Sequence, residues 1–130
     1  MSKVGHALLL AIAVTFAASA QGADTAADQP TRMSAKKAAD AASVQKGREV
    51  FQYWCTACHG DGPGKPGTTA LQTKYNGKKP ALLEARKDLT PALTKFFVRN
   101  GISVMPPFRK TEITDADLSA LAAYLARPRR

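Results

Sequence analysis

Aromatic side chains make up only 7% of this 130-residue chain, and it contains just two cysteines. Two cysteines cannot build a disulfide-dense scaffold. Acidic residues are also scarce, with 10 Asp+Glu against 19 Lys+Arg and a formal net charge of +9. That imbalance favours an acidic partner, a membrane surface or nucleic acid, without choosing among them. There is no long hydrophobic run: the apolar stretch Ala7 to Ala18 covers about 12 residues, where a spanning helix needs ~20. No segment has the alternation of a good strand. What is present, 45% hydrophobic and 22% charged residues, is the composition of one globular domain. It excludes a wholly disordered chain, a collagen-like fibre and a polytopic membrane protein.

The short apolar run has a context of its own. Lys3 precedes it, and Ala18-Ser19-Ala20 closes it with small residues at the −3 and −1 positions of a cleavage site. Residues 1–20 therefore read as a secretory signal peptide, cut after Ala20. The remainder is expected in the periplasm, with no membrane span. Residues 21–42 are Ala-rich and polar and cannot bury enough surface to offset their ordering entropy, so they read as a mobile leader. The folded domain then lies within residues 43–130 and ends near Arg127. Its core, from about 85 residues, is of a size that usually needs a disulfide, metal or cofactor as staple.

Three main helices can be placed, and the fold class is all-α. The first spans Ser43 to Ala57, with Ser43 as N-cap and Val44, Gly47, Val50, Phe51, Trp54, Cys55 and Cys58 on one face. The second starts at Thr90-Pro91, turns Leu93, Phe96 and Phe97 inward, and stops at Asn100-Gly101. The third starts at the capping box Thr114-Asp115-Ala116-Asp117, carries Leu118, Leu121, Ala122 and Leu125 inward, and ends before Pro128. Gly60 to Lys79, rich in Gly, Pro and Lys, reads as a loop. A short helical turn is expected within Pro80 to Arg86.

The chemistry is concentrated in Cys55-Thr56-Ala57-Cys58-His59. Two thiols two residues apart can each form a thioether to the two vinyl groups on one edge of a haem, and the adjacent His can then face the iron. A thioredoxin-like redox pair would want a βαβ setting, which is absent. A zinc site would need four ligands, and His6 leaves with the signal. The expectation is one covalent haem c held by Cys55 and Cys58, with His59 as an axial ligand. After residue 20 there is no second His, and the methionines are Met33 and Met105. Met33 falls in the leader. Met105 sits in the Pro-stiffened loop Gly101 to Phe108, which makes it the candidate sixth ligand, a soft thioether that favours reduced iron.

With these residues in place the chain resembles class I c-type cytochromes over residues 43–127. The pattern is Gly47, Phe51, Cys55-x-x-Cys58-His59, then Met105-Pro106, then a terminal helix with Tyr124. The resemblance implies that the first and last helices cross closely at Gly47, with Phe51 and Tyr124 filling the crossing. It also implies that a carbonyl after His59, from Pro63 or Pro66, holds the second ring nitrogen. Gly62 to Gly67 and Phe97 to Lys110 further resemble the small cytochrome subunit of flavocytochromes of the p-cresol methylhydroxylase and eugenol hydroxylase type. That likeness implies an FAD-containing dehydrogenase subunit as electron donor and a further acceptor protein. For the two haem carboxylates, Arg99, Arg109, Lys110, Tyr75 and Asn76 are candidate partners, each weighed against being a solvated surface group. The competing functions are a free shuttle between a dehydrogenase and a terminal oxidase and, in another class, a haem-based sensor or enzyme. The lack of a basic helix interleaved with aromatics counts against nucleic acid.

Overall fold

The structure, a computed structural model, describes residues 29–128. The expected signal peptide and its cleavage site lie outside them. Five α-helices follow one another: α1 Gln29–Trp54, α2 Thr56–His59, α3 Pro66–Tyr75, α4 Pro91–Asn100 and α5 Asp115–Ala126. A 3-10 turn at Leu83–Ala85 lies between α3 and α4. No strand occurs among the described residues, only an isolated bridge between Ile102 and Met105. The fold is a small all-α domain. Among the described residues no helix is long and apolar enough to cross a membrane.

The main packing is α1 across α5, with α4 against α5 and α3 against α2. Gly47, Val50 and Phe51 form the buried stripe of α1, and Leu118, Leu121, Tyr124 and Leu125 that of α5. Phe51, Ile113 and Leu121 are the largest fully buried side chains. The Phe51 and Tyr124 rings tilt against each other with centroids 5.9 Å apart. Gly47 is where the two backbones meet: a Cβ there would lie 2.0 Å from the Ala120 carbonyl oxygen and 2.7 Å from Tyr124 Cβ. The close crossing expected of these residues is what the structure has.

Both later helices are capped as their sequences suggest. Thr90 accepts a hydrogen bond from the Leu93 amide, with Pro91 in the first turn, and Thr114 accepts one from the Asp117 amide. Gly101 ends α4 with a φ of +68°, a conformation L side chains rarely adopt.

Three local expectations differ from the structure. The first helix begins at Gln29 rather than Ser43, so Ser43 lies inside it and caps nothing. The helix is already nucleated where it packs on α5, and adding Ala, Lys and Gln residues to an existing helix is favourable without further burial. An exposed Lys36–Asp40 pair at 2.7 Å supports those added turns. Second, the expected loop from Gly60 to Lys79 contains α3. Pro66 opens it, and Asn76 closes it in the left-handed conformation, with its amide bonded to the Gln72 carbonyl. Third, Phe96 faces outward at 57% exposure, while Thr94 and Val98 are the buried positions of α4.

Gly47→Leu is expected to lower stability by about 1–3 kcal/mol or more, the usual penalty of overpacking, because the obstructing atoms are backbone. A thermal melt beside the wild type checks this.

Candidate functional site

Cys55 follows α1 directly and caps α2, and its carbonyl accepts from the amides of Cys58 (3.1 Å) and His59 (2.7 Å). This wraps the Cys-x-x-Cys-His segment into the single turn α2. Cys55 is half-buried, Cys58 is exposed, and both thiols are free. Burial, with Cys58 alongside, pushes the Cys55 thiol up to about 12. Among the described residues no three His, Cys, Asp or Glu side chains converge to hold a bare metal ion. Burial also lowers the His59 pKa, which keeps the imidazole neutral at neutral pH, the form that ligates a metal.

His59 and Cys55 open onto a cleft of about 810 Å³, counting its open mouth. Its walls are apolar: Leu71 from α3, Leu83 from the 3-10 turn, Leu93, Phe97 and Val98 from α4, and Leu121 and Leu125 from α5. Met105 lines the same cleft from the loop between α4 and α5. That loop is a tight turn. Ile102 and Met105 exchange two backbone hydrogen bonds of 3.0 and 2.9 Å around Ser103, whose φ is +53°. The Phe108 amide then bonds the Val98 carbonyl at 2.8 Å, which ties the loop back to α4.

The expected carboxylate partners divide into two groups. Tyr75, the last residue of α3, lines the cleft. Arg99 does not: its guanidinium donates to the Phe108 and Ile113 carbonyls at 3.0 and 2.8 Å and to Asp115 at 2.9 Å, so it braces the loop. Arg109 lies exposed beside Glu112, and Lys110 pairs with Asp115 at 2.8 Å. Asn76 is the exposed cap of α3. Phe108 packs edge-on against Trp54, with centroids 5.8 Å apart, and against the core.

Two cations line the cleft, the exposed Lys74 and the buried Arg86, and sequence reasoning singled out neither. Arg86 is 6% exposed, donates to Tyr75 Oη at 2.5 Å and makes two 2.8 Å bonds to Asp88. Lys79 joins the same carboxylate at 2.8 Å. The only sequence signal for Arg86 is its place at the end of the apolar turn Ala81-Leu82-Leu83, two residues before an Asp. A buried guanidinium in a largely apolar wall, already paired with Asp88 on one side, leaves a positive charge at the cleft that suits an anionic group.

Two buried polar atoms lack a hydrogen-bond partner among the described residues: His59 Nδ1 and Thr94 Oγ1. Thr94 lines the cleft. The carbonyl that Pro63 or Pro66 was expected to offer His59 therefore makes no such bond. A largely apolar cleft with a thiol, a neutral imidazole and a thioether at its walls, one buried cation and an unpaired hydroxyl fits haem in the chemistry of its donor set.

The family described as "Cytochrome C oxidase, cbb3-type, subunit III" matches residues 42–125. The chain is also similar to "Cbb3-type cytochrome c oxidase subunit CcoP" of Azospirillum sp. (strain B510), at 35% identity over 101 residues. That match covers 68% of this chain and 30% of the relative, so the chain spans about a third of the relative's length. No solved structure matches it. These findings overturn the FAD-containing dehydrogenase as partner and do not support the p-cresol methylhydroxylase resemblance, because the similarity runs to an oxidase subunit. Glycine turns and Met-Pro after an Asn-Gly helix end are short motifs that many cytochromes share, and they carried that expectation too far.

The Arg86 guanidinium, by direct hydrogen bonds, and then Lys79 hold the Asp88 carboxyl well below the ordinary carboxylate value of 3.8. A depressed carboxylate contributes stability above its unfolded pKa and loses that contribution as pH falls through the folded one. Asp88→Asn is therefore expected to lower stability near pH 7, by no more than about 1 kcal/mol because Asp88 is 43% exposed. The gap to the wild type should narrow as the pH drops below about 4. Denaturant unfolding from pH 7 to pH 2 measures it.

Proposed function

The chain belongs to the cytochrome c oxidase, cbb3-type, subunit III family, and from that premise we propose that it is a mono-haem domain passing single electrons toward a terminal oxidase. As a cytochrome c domain it carries haem c and works in electron transfer. The observation that carries the reading is the shared cleft. Cys55 and His59 reach it from the turn between α1 and α2 and from α2, and Met105 reaches it from the loop after α4.

In this reading Cys55 and Cys58 would hold the haem through thioethers, and His59 and Met105 would ligate its iron. The bound iron supplies one-electron chemistry. The protein's work is positional. The turn after Cys55 holds His59 next to both attachment points. The Ile102–Met105 turn, braced by Arg99, delivers the thioether, and a thioether ligand favours the reduced metal. The apolar walls exclude water and so reduce the reorganisation that accompanies each electron. Arg86, with Tyr75, is placed to compensate a haem carboxylate, in the role sought from Arg99 and Arg109.

The exposed Ile102 and Val104, next to Pro106 and Pro107, give the Met105 loop an apolar surface, with Arg109 and Lys110 beside it. An apolar centre with a charged rim suits transient docking, and the positive rim suits an acidic partner surface. Residues 1–20 act as the export signal in this reading. Residues 43–130 are the haem-bearing domain, residues 29–42 are a helical extension of it, and the domain works on the periplasmic side.

Cys55→Ser with Cys58→Ser is expected to leave no haem attached after denaturation and a chain with little cooperative structure, because a core this small around so large a cleft lacks the area to hold itself. Circular dichroism and haem mass on the purified chain test this, and a cooperative melt in the double variant would contradict it. Met105→Ala should lose the weak sulfur-to-iron absorption of the oxidised protein and lower its reduction potential. An unchanged spectrum would remove Met105 from the site. Intact mass of exported protein should begin at Gln21.

A further inference from the structure

We propose that Gly101 is a positioning residue for the sulfur of Met105: its missing side chain lets the loop of residues 102–108 close onto the end of α4, with Arg99 holding the far end of the same loop. The inference rests on the reading of Met105 as an iron ligand and concerns what keeps that ligand in place.

The Met105 side chain has reach but little stiffness of its own, because its unbranched thioether stem rotates freely at several bonds. Its aim has to come from the backbone that carries it. That backbone folds straight back over α4. The Gly101 amide donates to the Phe97 carbonyl at 2.8 Å, and the Ile102 amide donates to the Met105 carbonyl at 3.0 Å. The Met105 carbonyl thereby comes to rest on Gly101. A Cβ on Gly101 would stand 2.5 Å from that oxygen, 2.9 Å from Pro107 N and 3.0 Å from the Pro106 carbonyl carbon. The oxygen would have to retreat by about 0.9 Å to reach the 3.4 Å at which ordinary contact begins. All the obstructing atoms are backbone, and two of the residues are prolines, whose φ is fixed.

The far end of the loop is pinned as well. The Phe108 amide bonds the Val98 carbonyl at 2.8 Å. The Arg99 guanidinium donates to the Phe108 carbonyl at 3.0 Å, to the Ile113 carbonyl at 2.8 Å and to Asp115 at 2.9 Å. Met105 therefore hangs from a loop fastened at both ends to the last turn of α4, Val98 to Gly101. A thioether favours the reduced metal, so the potential of the domain depends on this loop being closed.

A positive φ alone does not account for Gly101. Ser103, in the same loop, carries an exposed side chain at a φ of +53°. Gly77 has a φ of +77°, and a Cβ on it would meet nothing within 4 Å. At Gly101 the φ of +68° comes with the Met105 carbonyl in the way. Substituting Gly77 therefore imposes backbone strain alone, whereas substituting Gly101 also displaces the residue that bears the sulfur.

The test uses the oxidised, haem-loaded protein, with free imidazole competing for the sixth position of the iron. The weak sulfur-to-iron absorption reports bound sulfur. In Gly101→Ala the imidazole concentration that removes half of this absorption should fall at least about tenfold, a factor that overpacking penalties reach. The reduction potential should fall with it. Gly77→Ala should lower the melting temperature yet keep the wild-type imidazole concentration and potential. An unchanged imidazole concentration in Gly101→Ala, or an equal fall in Gly77→Ala, overturns the proposal. A wild type without the absorption removes Met105 as a ligand, and the reading falls together with the inference. If Gly101→Ala gives no folded haem-loaded protein, Arg99→Leu decides, because it frees the other end of the same loop. There too the imidazole concentration should fall, and an unchanged one overturns the proposal.

Discussion

Where α1 crosses α5 there is no room for a side chain. The Gly47 Cα rests on the Ala120 carbonyl, and a single added carbon would lie 2.0 Å from its oxygen. This approach brings Val50 and Phe51 onto Leu121, Tyr124 and Leu125, which make up most of the core. It also decides where the end of α1 points. Cys55 follows Phe51 by one helical turn, so the crossing that buries Phe51 sets Cys55 and His59 at the wall that Leu121 and Leu125 continue. Core and cofactor site are thus two faces of one helix pair.

The rest of the cleft is assembled from short pieces that would have no stable position alone. Leu83 sits in the 3-10 turn Leu83–Ala85, and that turn is tied to α5 by a hydrogen bond from the Tyr124 hydroxyl to the Glu84 carboxylate. Arg86 follows directly and joins the turn to Tyr75 at the end of α3. Arg127 covers the Tyr124 ring, its guanidinium carbon 3.7 Å from the centroid. In a domain with so little apolar surface, polar side chains connect the wall segments. The buried guanidinium among them carries the one buried charge of the described residues.

Much of the site was legible because its chemistry is local. Cys55, Cys58 and His59 fall within one helical turn, and Thr90-Pro91, Asn100-Gly101 and Thr114 to Asp117 are cap signals read over four residues or fewer. The crossing of Gly47, Phe51 and Tyr124 was legible through the family pattern, and Met105, singled out by elimination among few candidates, lines the cleft. Other features escaped. Helix α3 was hidden by the Gly and Pro residues around it, because Pro at a first turn and an Asn cap look like loop composition when the helix between them has no apolar stripe. The helical start at Gln29 escaped because burial was taken as the requirement for order, whereas extension of an existing helix has a weaker one. The partner was misjudged where short shared motifs were allowed to choose among cytochromes.

The sequence by itself determined the Cys-x-x-Cys-His motif, the all-α class and the helix caps. All of these depend on residue type and on spacing within a few positions. Only the tertiary structure decided which charges serve the cleft. Arg99 and Arg109 flank Met105 in sequence, yet they turn to the Phe108 and Ile113 carbonyls and to Glu112, while Arg86, distant in sequence, is folded into the wall. It decided likewise that Gly67, with nothing local to mark it, lies against His59. A charge or a missing side chain acts on whatever the fold brings within a few ångströms of it, and spacing along the chain does not encode that distance.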